Sequence, residues 1–245
     1  MIRMHVHQWG TGPEVVLVHG GLLGGKHAWI AQQPLPKRWT LLAPDRPGHG
    51  QSPPARQDFE PESMLLATQL LDRPVHLVGM SYGGIVAMYA AAIRPENVRS
   101  LTVIEPPCTS VARGEPVVDA YRDAMRGIVE ATDLEPAEAL RRFFAVVGVP
   151  IAVEQPLPPV LELGIRQLLG ARPPDEADPP LDLLRAAPFR ILVVSGDHLP
   201  ANEIICDTIA QRTGAERAIL SGNGHLIPDT GAPFNKLLEQ HLMAR

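Results

Sequence analysis

The residues best suited to chemistry form a serine-centred turn, GMSYG, at residues 79–83. The apolar run at 75–78 predicts a buried strand before the turn, and the small-residue segment at 85–92 predicts a helix after it. A serine exposed at such a turn has a strained backbone, and side chains two residues to either side would clash, so glycine is needed at both places. The turn also puts Ser81 at a helix N-terminus, where partial positive charge favours a developing anion. The pattern predicts a nucleophilic serine.

A serine is a poor nucleophile without a base, and His225 is the histidine in the most suitable context. It lies in SGNGHLIP, residues 221–228, after a short apolar strand and ahead of the last predicted helix. His241 falls in that helix and is expected at the surface, while His5 and His7 share one face of the first strand without an evident third ligand. We therefore predict His225 as the general base and no metal site.

The base needs a carboxylate that holds its tautomer and stabilises the imidazolium. Two predicted strand ends offer one. Glu105 follows the apolar run at 101–104, and Asp197 follows the run at 191–194 in the stretch SGDHLP. Residue type and position leave both open, because Glu105 could simply pair or cap at a hinge and Asp197 could simply form a turn.

Apolar runs and helical patterns alternate along most of the chain. The runs that predict strands lie at residues 15–18, 40–43, 75–78, 101–104, 191–194 and 218–220. Helical spacing without any predicted strand fills residues 106–187, at 117–132, 136–146 and 159–169. Strands alternating with helices imply right-handed crossovers and a mostly parallel, doubly wound α/β sheet. We predict a core domain of residues 1–105 and 188–245, with a helical cap of residues 106–187.

Four motifs, in chain order, resemble those of the α/β-hydrolase family. HGG at 19–21 resembles its oxyanion loop, DRPGHGQS at 45–52 its D-x-x-G-x-G-x-S turn, GMSYG at 79–83 its nucleophile elbow, and GNGH at 222–225 its histidine loop. The resemblance spans nearly the whole chain and implies that the helical segment is the family's cap, inserted after the sixth family strand. It also implies an oxyanion hole formed by the backbone N–H of Tyr82 with that of Gly21 or Leu22.

The resemblance also bears on the acid. Most relatives use an aspartate after the later strand, in a loop that runs glycine, two residues, aspartate, a few residues, proline. Here Asp197 directly follows Gly196, and Pro200 comes only three residues later, so the loop is shortened. Certain haloalkane dehalogenases use a glutamate at the end of the earlier strand, which is the position of Glu105. We therefore expect Glu105 as the acid, with Asp197 as the alternative.

The resemblance implies a serine hydrolase that cleaves a carboxylic ester, lactone or thioester of a small molecule through an acyl-enzyme, with no cofactor. The same triad on this fold serves C–C bond hydrolases and perhydrolases, and some relatives are non-catalytic small-molecule receptors, so these stay as alternatives. A rival prediction, nucleotide binding, comes from GGLLGGKH at 20–27, where His27 stands at the serine or threonine position of a phosphate-binding loop.

Candidates for substrate contact lie in the predicted cap and after the oxyanion loop. They are Trp29, Met125, Phe143, Phe144 and Leu163. For the cap residues, the same helical spacing is equally typical of core packing.

Composition restricts the class of protein. With 45% hydrophobic and 20% charged residues, the 245-residue chain is typical of a globular protein. Its net charge of −5 argues against nucleic acid or an anionic membrane as the main partner. No apolar stretch approaches about 18 residues, and no secretory leader is recognised at the N-terminus. The distant cysteines, Cys108 and Cys206, suit a reducing compartment. We expect a cytoplasmic monomer or homodimer.

Overall fold

The computed structural model describes residues 3–244, and a seven-stranded sheet lies at the centre of this part of the chain. The strands are β1 (Val6–Trp9), β2 (Glu14–Val18), β3 (Thr40–Pro44), β4 (Val75–Met80), β5 (Val98–Ile104), β6 (Arg190–Ser195) and β7 (Glu216–Ile219). Their order across the sheet is β1-β3-β2-β4-β5-β6-β7. β1 pairs antiparallel with β3, and every other neighbouring pair is parallel. The predicted mostly parallel α/β sheet is confirmed.

Helices fill the connections between the strands. They are α1 (Gly25–Ala28), α2 (Phe59–Leu70), α3 (Tyr82–Ile93), α4 (Pro116–Val129), α5 (Pro136–Val147), α6 (Pro159–Leu168), α7 (Leu181–Ala186), α8 (Pro200–Thr213) and α9 (Ala232–Met243). Within residues 3–244, none of these helices combines the length and apolar character needed to cross a bilayer.

The sheet is covered on both faces, which explains why its central strands are apolar throughout. Side chains alternate between the two faces along a strand. In β2, Val16 and Val18 pack with the layer of α2, α3 and α8, whereas Val15 and Leu17 pack with the layer of α9. Because β4 and β5 are neighbouring parallel strands, their carboxyl ends meet at one edge of the sheet and place residues 81 and 105 close together.

The segment between β5 and β6 consists of α4 to α7 and their connecting turns, with no strand among the described residues. α4 buries Val118, Tyr121 and Met125 at spacings of three and four residues, as an amphipathic helix should. α5 ends at Gly148, whose left-handed conformation (φ 68°) terminates the helix. These helices share one hydrophobic cluster with α3 and α8, so the cap packs on the α3 side of the sheet.

His241 is buried, not at the surface as expected. It lies one turn from Leu238 on the face of α9 that packs against the sheet, and it is 4% exposed. Its carbonyl accepts a hydrogen bond from Nη2 of Arg190 at 2.6 Å, and burial lowers its pKa. The expectation of a surface residue was wrong because α9 covers the second face of the sheet.

Candidate active site

Ser81 lies between the end of β4 and the start of α3, with a strained backbone (φ 54°, ψ −128°). A Cβ atom at Gly83 would overlap the carbonyl oxygen of His19, and one at Gly79 would lie 2.5 Å from a backbone oxygen. The N–H of Ser81 donates to the carbonyl of Ile104 at 2.8 Å, which ties the turn to β5. The turn places Ser81 at the wall of a cavity.

Glu105 and His225 form a buried contact at the end of β5. Oε2 of Glu105 accepts from Nδ1 of His225 at 2.6 Å, and the two residues are 1% and 4% exposed. The carboxylate also accepts from the N–H of Gly196 at 2.7 Å and from Nδ2 of Asn202 at 3.0 Å. With the proton on Nδ1, Nε2 of His225 is the basic nitrogen, and it has no hydrogen-bond partner among the described residues. Ser81 and His225 line the same cavity.

Asp197 lies apart from this contact. It is exposed, in a turn with φ 53°, and its N–H donates to Oε1 of Glu203 at 3.0 Å. The structure therefore brings Glu105, and not Asp197, to His225.

The loop at residues 19–22 after β2 is held by its carbonyl groups. Arg46 donates from Nη2 to the carbonyl of Gly20 at 2.7 Å, and Gln57 donates from Nε2 to that of Gly21 at 3.0 Å. Because the C=O and N–H of a trans peptide point in opposite directions, these bonds turn the N–H groups of Gly21 and Leu22 to the other side of the loop. Gly21 and Leu22 line the cavity. Tyr82, the other expected donor, is the first residue of α3, where backbone N–H groups lack intrahelical partners.

Arg46 is a buried cation with many partners. It is 1% exposed, its Nη1 lies 2.5 Å from Oε2 of Glu62, and its Nε donates to the carbonyl of His19 at 3.1 Å. Its guanidinium also lies 5.1 Å from the ring centre of Tyr82. Sequence reasoning missed Arg46, Gln57 and Glu62. The available signal was that Arg46 lies inside the D-x-x-G-x-G-x-S motif, at one of its variable positions.

Two buried histidines beside Arg46 are neutral at neutral pH. Burial and the charge of Arg46 lower the pKa of His19 well below its usual range, and lower that of His49 to about 4. His19 approaches the carbonyl of Gly20 with Nδ1 at 2.8 Å and accepts the N–H of Arg46 at Nε2, which is the pattern of a neutral ring. Nε2 of His49 lies 3.1 Å from the carbonyl oxygen of Gly21. The support beneath the loop therefore has one positive charge, on Arg46.

The cavity beside Ser81 has a volume of about 420 Å³, within the range of small-molecule sites. Its core side includes Gly20, Gly21, Leu22, Met80, Ser81 and His225. Its cap side includes Phe143, Phe144, Val149, Ile151, Val160 and Leu161. Two of the expected contact residues, Phe143 and Phe144, thus lie in the wall.

Three other expected contact residues do not line this cavity. Trp29 is fully buried on the opposite face of the sheet, in the cluster that contains Phe234. Met125 is buried in the packing between α4 and the core, and Leu163 is 43% exposed on α6. Helical spacing gave the buried face of each cap helix but not which part of that face meets the cavity.

His5 and His7 do have a third group nearby, Asp45, contrary to the expectation from sequence. The three ligand atoms lie within 4.8 Å of one another, and Nε2 of His7 is 3.1 Å from Oδ2 of Asp45. The carboxylate of Asp45 is already engaged by the N–H groups of Gly25 and Gln51. The contact therefore serves to hold the turn that follows β3.

Comparison with known proteins identifies the family. A family model described as the alpha/beta hydrolase family matches residues 15–237. The chain is a member of the α/β hydrolase family. Residues 20–27, whose pattern suggested a phosphate-binding loop, form the loop after β2 and the start of α1, and Lys26 is exposed outside the cavity.

Two curated relatives are named pimeloyl-acyl-carrier-protein methyl ester esterases. The protein from Chromobacterium violaceum is 35% identical over 156 residues, covering 62% of this chain and 60% of the relative. The protein from Methylococcus capsulatus is 37% identical over 190 residues, covering 74% of this chain and 70% of the relative. The matched stretches thus span about two thirds of these relatives' own lengths.

A solved structure agrees on the fold. The crystal structure of an alpha/beta hydrolase from Sphaerobacter thermophilus superposes with a TM-score of 0.72 at 22% identity, over 98% of this chain and 96% of that one.

Removing the buried charge of Arg46 should destabilise the protein and the loop together. Arg46→Met leaves Glu62 as an unpaired buried carboxylate, so we expect a loss of about 3–5 kcal/mol in the free energy of unfolding. The double variant Arg46→Met/Glu62→Leu should recover part of that stability but not the esterase activity, since the carbonyl of Gly20 has lost its bond from Arg46 and keeps only that from Nδ1 of His19. Urea unfolding and ester turnover measure the two effects. Equal stability of the single and double variants would contradict this account.

Helix α6 packs its backbone closely against Leu22 in the loop after β2. A Cβ atom at Gly164 would therefore overlap the carbonyl oxygen of Leu22. Gly164→Ala should therefore displace the loop and lower kcat at least tenfold. Gly127→Ala is the matched control, since nothing lies within 4 Å of a Cβ atom there. That change should stabilise α4 by about 0.5–1 kcal/mol and leave activity unchanged. Thermal unfolding and ester kinetics on both variants test the prediction, which fails if they behave alike.

Proposed function

We propose that this protein hydrolyses a carboxylic ester of a small, largely apolar molecule through an acyl-enzyme on Ser81. The observation that carries the proposal is the buried 2.6 Å contact between Glu105 and His225 at the wall of the cavity that Ser81 also lines. A serine at a strained turn, a histidine nitrogen without a hydrogen-bond partner and a buried carboxylate behind that histidine are the parts that acyl transfer needs.

The reaction begins with attack of Ser81 Oγ on the ester carbonyl while Nε2 of His225 takes the hydroxyl proton. Glu105 stabilises the imidazolium that forms. The oxyanion of the tetrahedral intermediate accepts hydrogen bonds from the N–H of Tyr82 and that of Gly21 or Leu22. His225 then gives its proton to the leaving alcohol, and the acyl group stays on Ser81.

Water completes the cycle. It enters in place of the alcohol and attacks the acyl-enzyme while His225 again takes a proton. A second tetrahedral intermediate collapses, the carboxylic acid leaves, and the proton returns from His225 to Ser81. The oxyanion donors act in both halves because the charge develops at the same carbonyl oxygen.

The lining of the cavity favours a neutral acyl group. The described residues around it include no lysine or arginine, and they include one carboxylate, Asp229, whose pKa is raised by burial. An anionic acyl chain would meet that carboxylate without a compensating cation. The relatives named as methyl ester esterases support a simple alkyl ester as the bond that is cleaved. We therefore expect neutral alkyl esters to be preferred over half-esters of dicarboxylic acids.

We further propose that the protein works in the cytoplasm as a monomer or homodimer and acts on a free small molecule. Two buried free cysteines, Cys108 and Cys206, support a reducing compartment, and the net charge of −5 disfavours nucleic acid.

A fluorophosphonate probe with short p-nitrophenyl esters tests the activity and the nucleophile. We expect one label on Ser81 by peptide mass spectrometry, time-dependent loss of turnover, and neither label nor turnover in Ser81→Ala. Ser221→Ala, at an exposed serine in the histidine loop, is the control and should keep both. No labelling and no turnover by the unmodified protein would rule out the hydrolase, and a label that survives Ser81→Ala would rule out this nucleophile alone.

The acid is tested by two isosteric changes. Glu105→Gln should lower kcat on the order of 10⁴-fold, because the neutral amide neither stabilises the imidazolium nor fixes its tautomer. Asp197→Asn should change kcat less than about threefold, since Asp197 is exposed and does not contact His225. Steady-state kinetics on folded variants decide between them, and the reverse pattern would assign the acid to Asp197.

A further inference from the structure

A second histidine touches the carboxylate that orients His225. His198 follows β6, and its side chain is 13% exposed. Its Nδ1 lies 3.4 Å from Oε1 of Glu105, and its Nε2 lies 3.0 Å from the carbonyl oxygen of Val147, the last residue of α5. The ring therefore spans from the cap to the triad carboxylate.

The two contacts place one acceptor beside each nitrogen of this ring. The carbonyl of Val147 can only accept, so Nε2 of His198 must carry a proton. A neutral ring would then point the lone pair of Nδ1 at a carboxylate oxygen, which is repulsive. An imidazolium instead brings a positive charge to 3.4 Å from Oε1 of Glu105, which is the spacing of an ion pair without a hydrogen bond at Nδ1. His49 differs, because both of its acceptors are neutral carbonyls and Arg46 opposes a second positive charge.

Backbone packs closely around one side of the ring. A Cβ atom at Gly148 would lie 2.5 Å from Cδ2 of His198. A Cβ atom at Gly224 would overlap the carbonyl oxygen of Gly148, and one at Gly196 would overlap that of Gly224. The end of the cap helix, the loop after β6 and the histidine loop thus touch one another directly.

We propose that His198 is a positioning residue: its imidazolium binds Glu105 and the carbonyl of Val147 together, and so couples the position of the cap to the orientation of His225. This inference rests on the proposed function. The carboxylate of Glu105 serves His198 through Oε1 and His225 through Oε2, and the two rings are 6.3 Å apart. The cap end of this connection carries Phe143 and Phe144, which line the cavity.

Several other titratable groups lie around the ring. Glu105 faces it from β5 and His225 from the histidine loop. Asp197 lies in the loop before α8, and Glu203 lies in the first turn of that helix and is paired with Arg217 at 2.6 Å. Tyr121 of α4 lies behind Glu105, and burial together with that carboxylate raises its pKa, so it stays neutral. Glu105 is therefore the acidic group in contact with His198, and His225 is the group that feels its charge.

Two substitutions separate the two contacts. His198→Asn keeps an amide donor at the position of Nδ1, toward Glu105, and loses the bond to Val147. His198→Gln keeps a donor at the position of Nε2, toward Val147, and loses the contact with Glu105. Both remove the positive charge. Asp197→Asn, an exposed change in the same loop, is the control.

We expect the acid limb of kcat/KM against pH to move to higher pH by about one unit in both His198 variants, because a neighbouring cation no longer opposes protonation of His225. KM should rise about fivefold in His198→Asn, which frees the end of the cap, and should stay near that of the unmodified protein in His198→Gln. A role limited to packing would raise KM or lower stability without moving the limb. If the acid limbs of kcat/KM against pH superpose for the two variants and the unmodified protein, the proposal is overturned.

Nitrogen-15 NMR of the histidine rings gives a readout that needs no turnover. With His198→Gln to assign the signals, His198 of the unmodified protein should show protons on both ring nitrogens at pH 7. A neutral His198 at that pH would overturn the proposal even if every variant failed to fold. A doubly protonated ring in a protein that hydrolyses no ester would reject the proposed function, and only the contact of His198 with Glu105 and Val147 would remain.

Discussion

The buried carboxylate of Glu105 is the constraint on which the site depends. It lies at the carboxyl end of β5, and donors reach it from the loop after β6, from Asn202 on α8 and from His225 in the histidine loop. An ionised group in such surroundings is stable only when its lone pairs are paired with donors. Because those donors come from two loops and one helix, the carboxylate fixes the relative positions of three segments as well as the tautomer of one ring.

A second buried charge, on Arg46, positions the loop at residues 19–22 on the other side of Ser81. Its guanidinium binds the carbonyl groups of His19 and Gly20 on one side of the loop after β2. In the proposed mechanism, the N–H groups that face the other way bind the tetrahedral intermediate. Glu62 balances this charge below the loop, and the neighbouring histidines stay neutral. The strained turn at Ser81 thus lies between a buried anion bound to His225 and a buried cation bound to the loop at residues 19–22. In the proposed mechanism the first orients the base and the second orients the oxyanion donors.

Much of the fold could be predicted from local sequence. The predicted helices of the cap appear within a few residues of their expected bounds, because their apolar spacing and flanking prolines are local signals. The long-range contacts could not be predicted from local sequence. The partners of Arg46, the third group beside His5 and His7, and the placement of Trp29 on the far face of the sheet all depend on residues distant in the chain. Spacing within a helix could give its buried face, but it could not separate Phe143 in the cavity wall from Met125 in the core.

The most direct test of the account is the proton NMR signal of the Nδ1–H of His225 in the protein without ligand. A short hydrogen bond to a buried carboxylate strongly deshields that proton. The account predicts a far-downfield signal in the unmodified protein and in Asp197→Asn, and its loss or a large upfield shift in Glu105→Gln. A signal that is unchanged in Glu105→Gln and lost in Asp197→Asn would show that Glu105 does not hold the catalytic histidine.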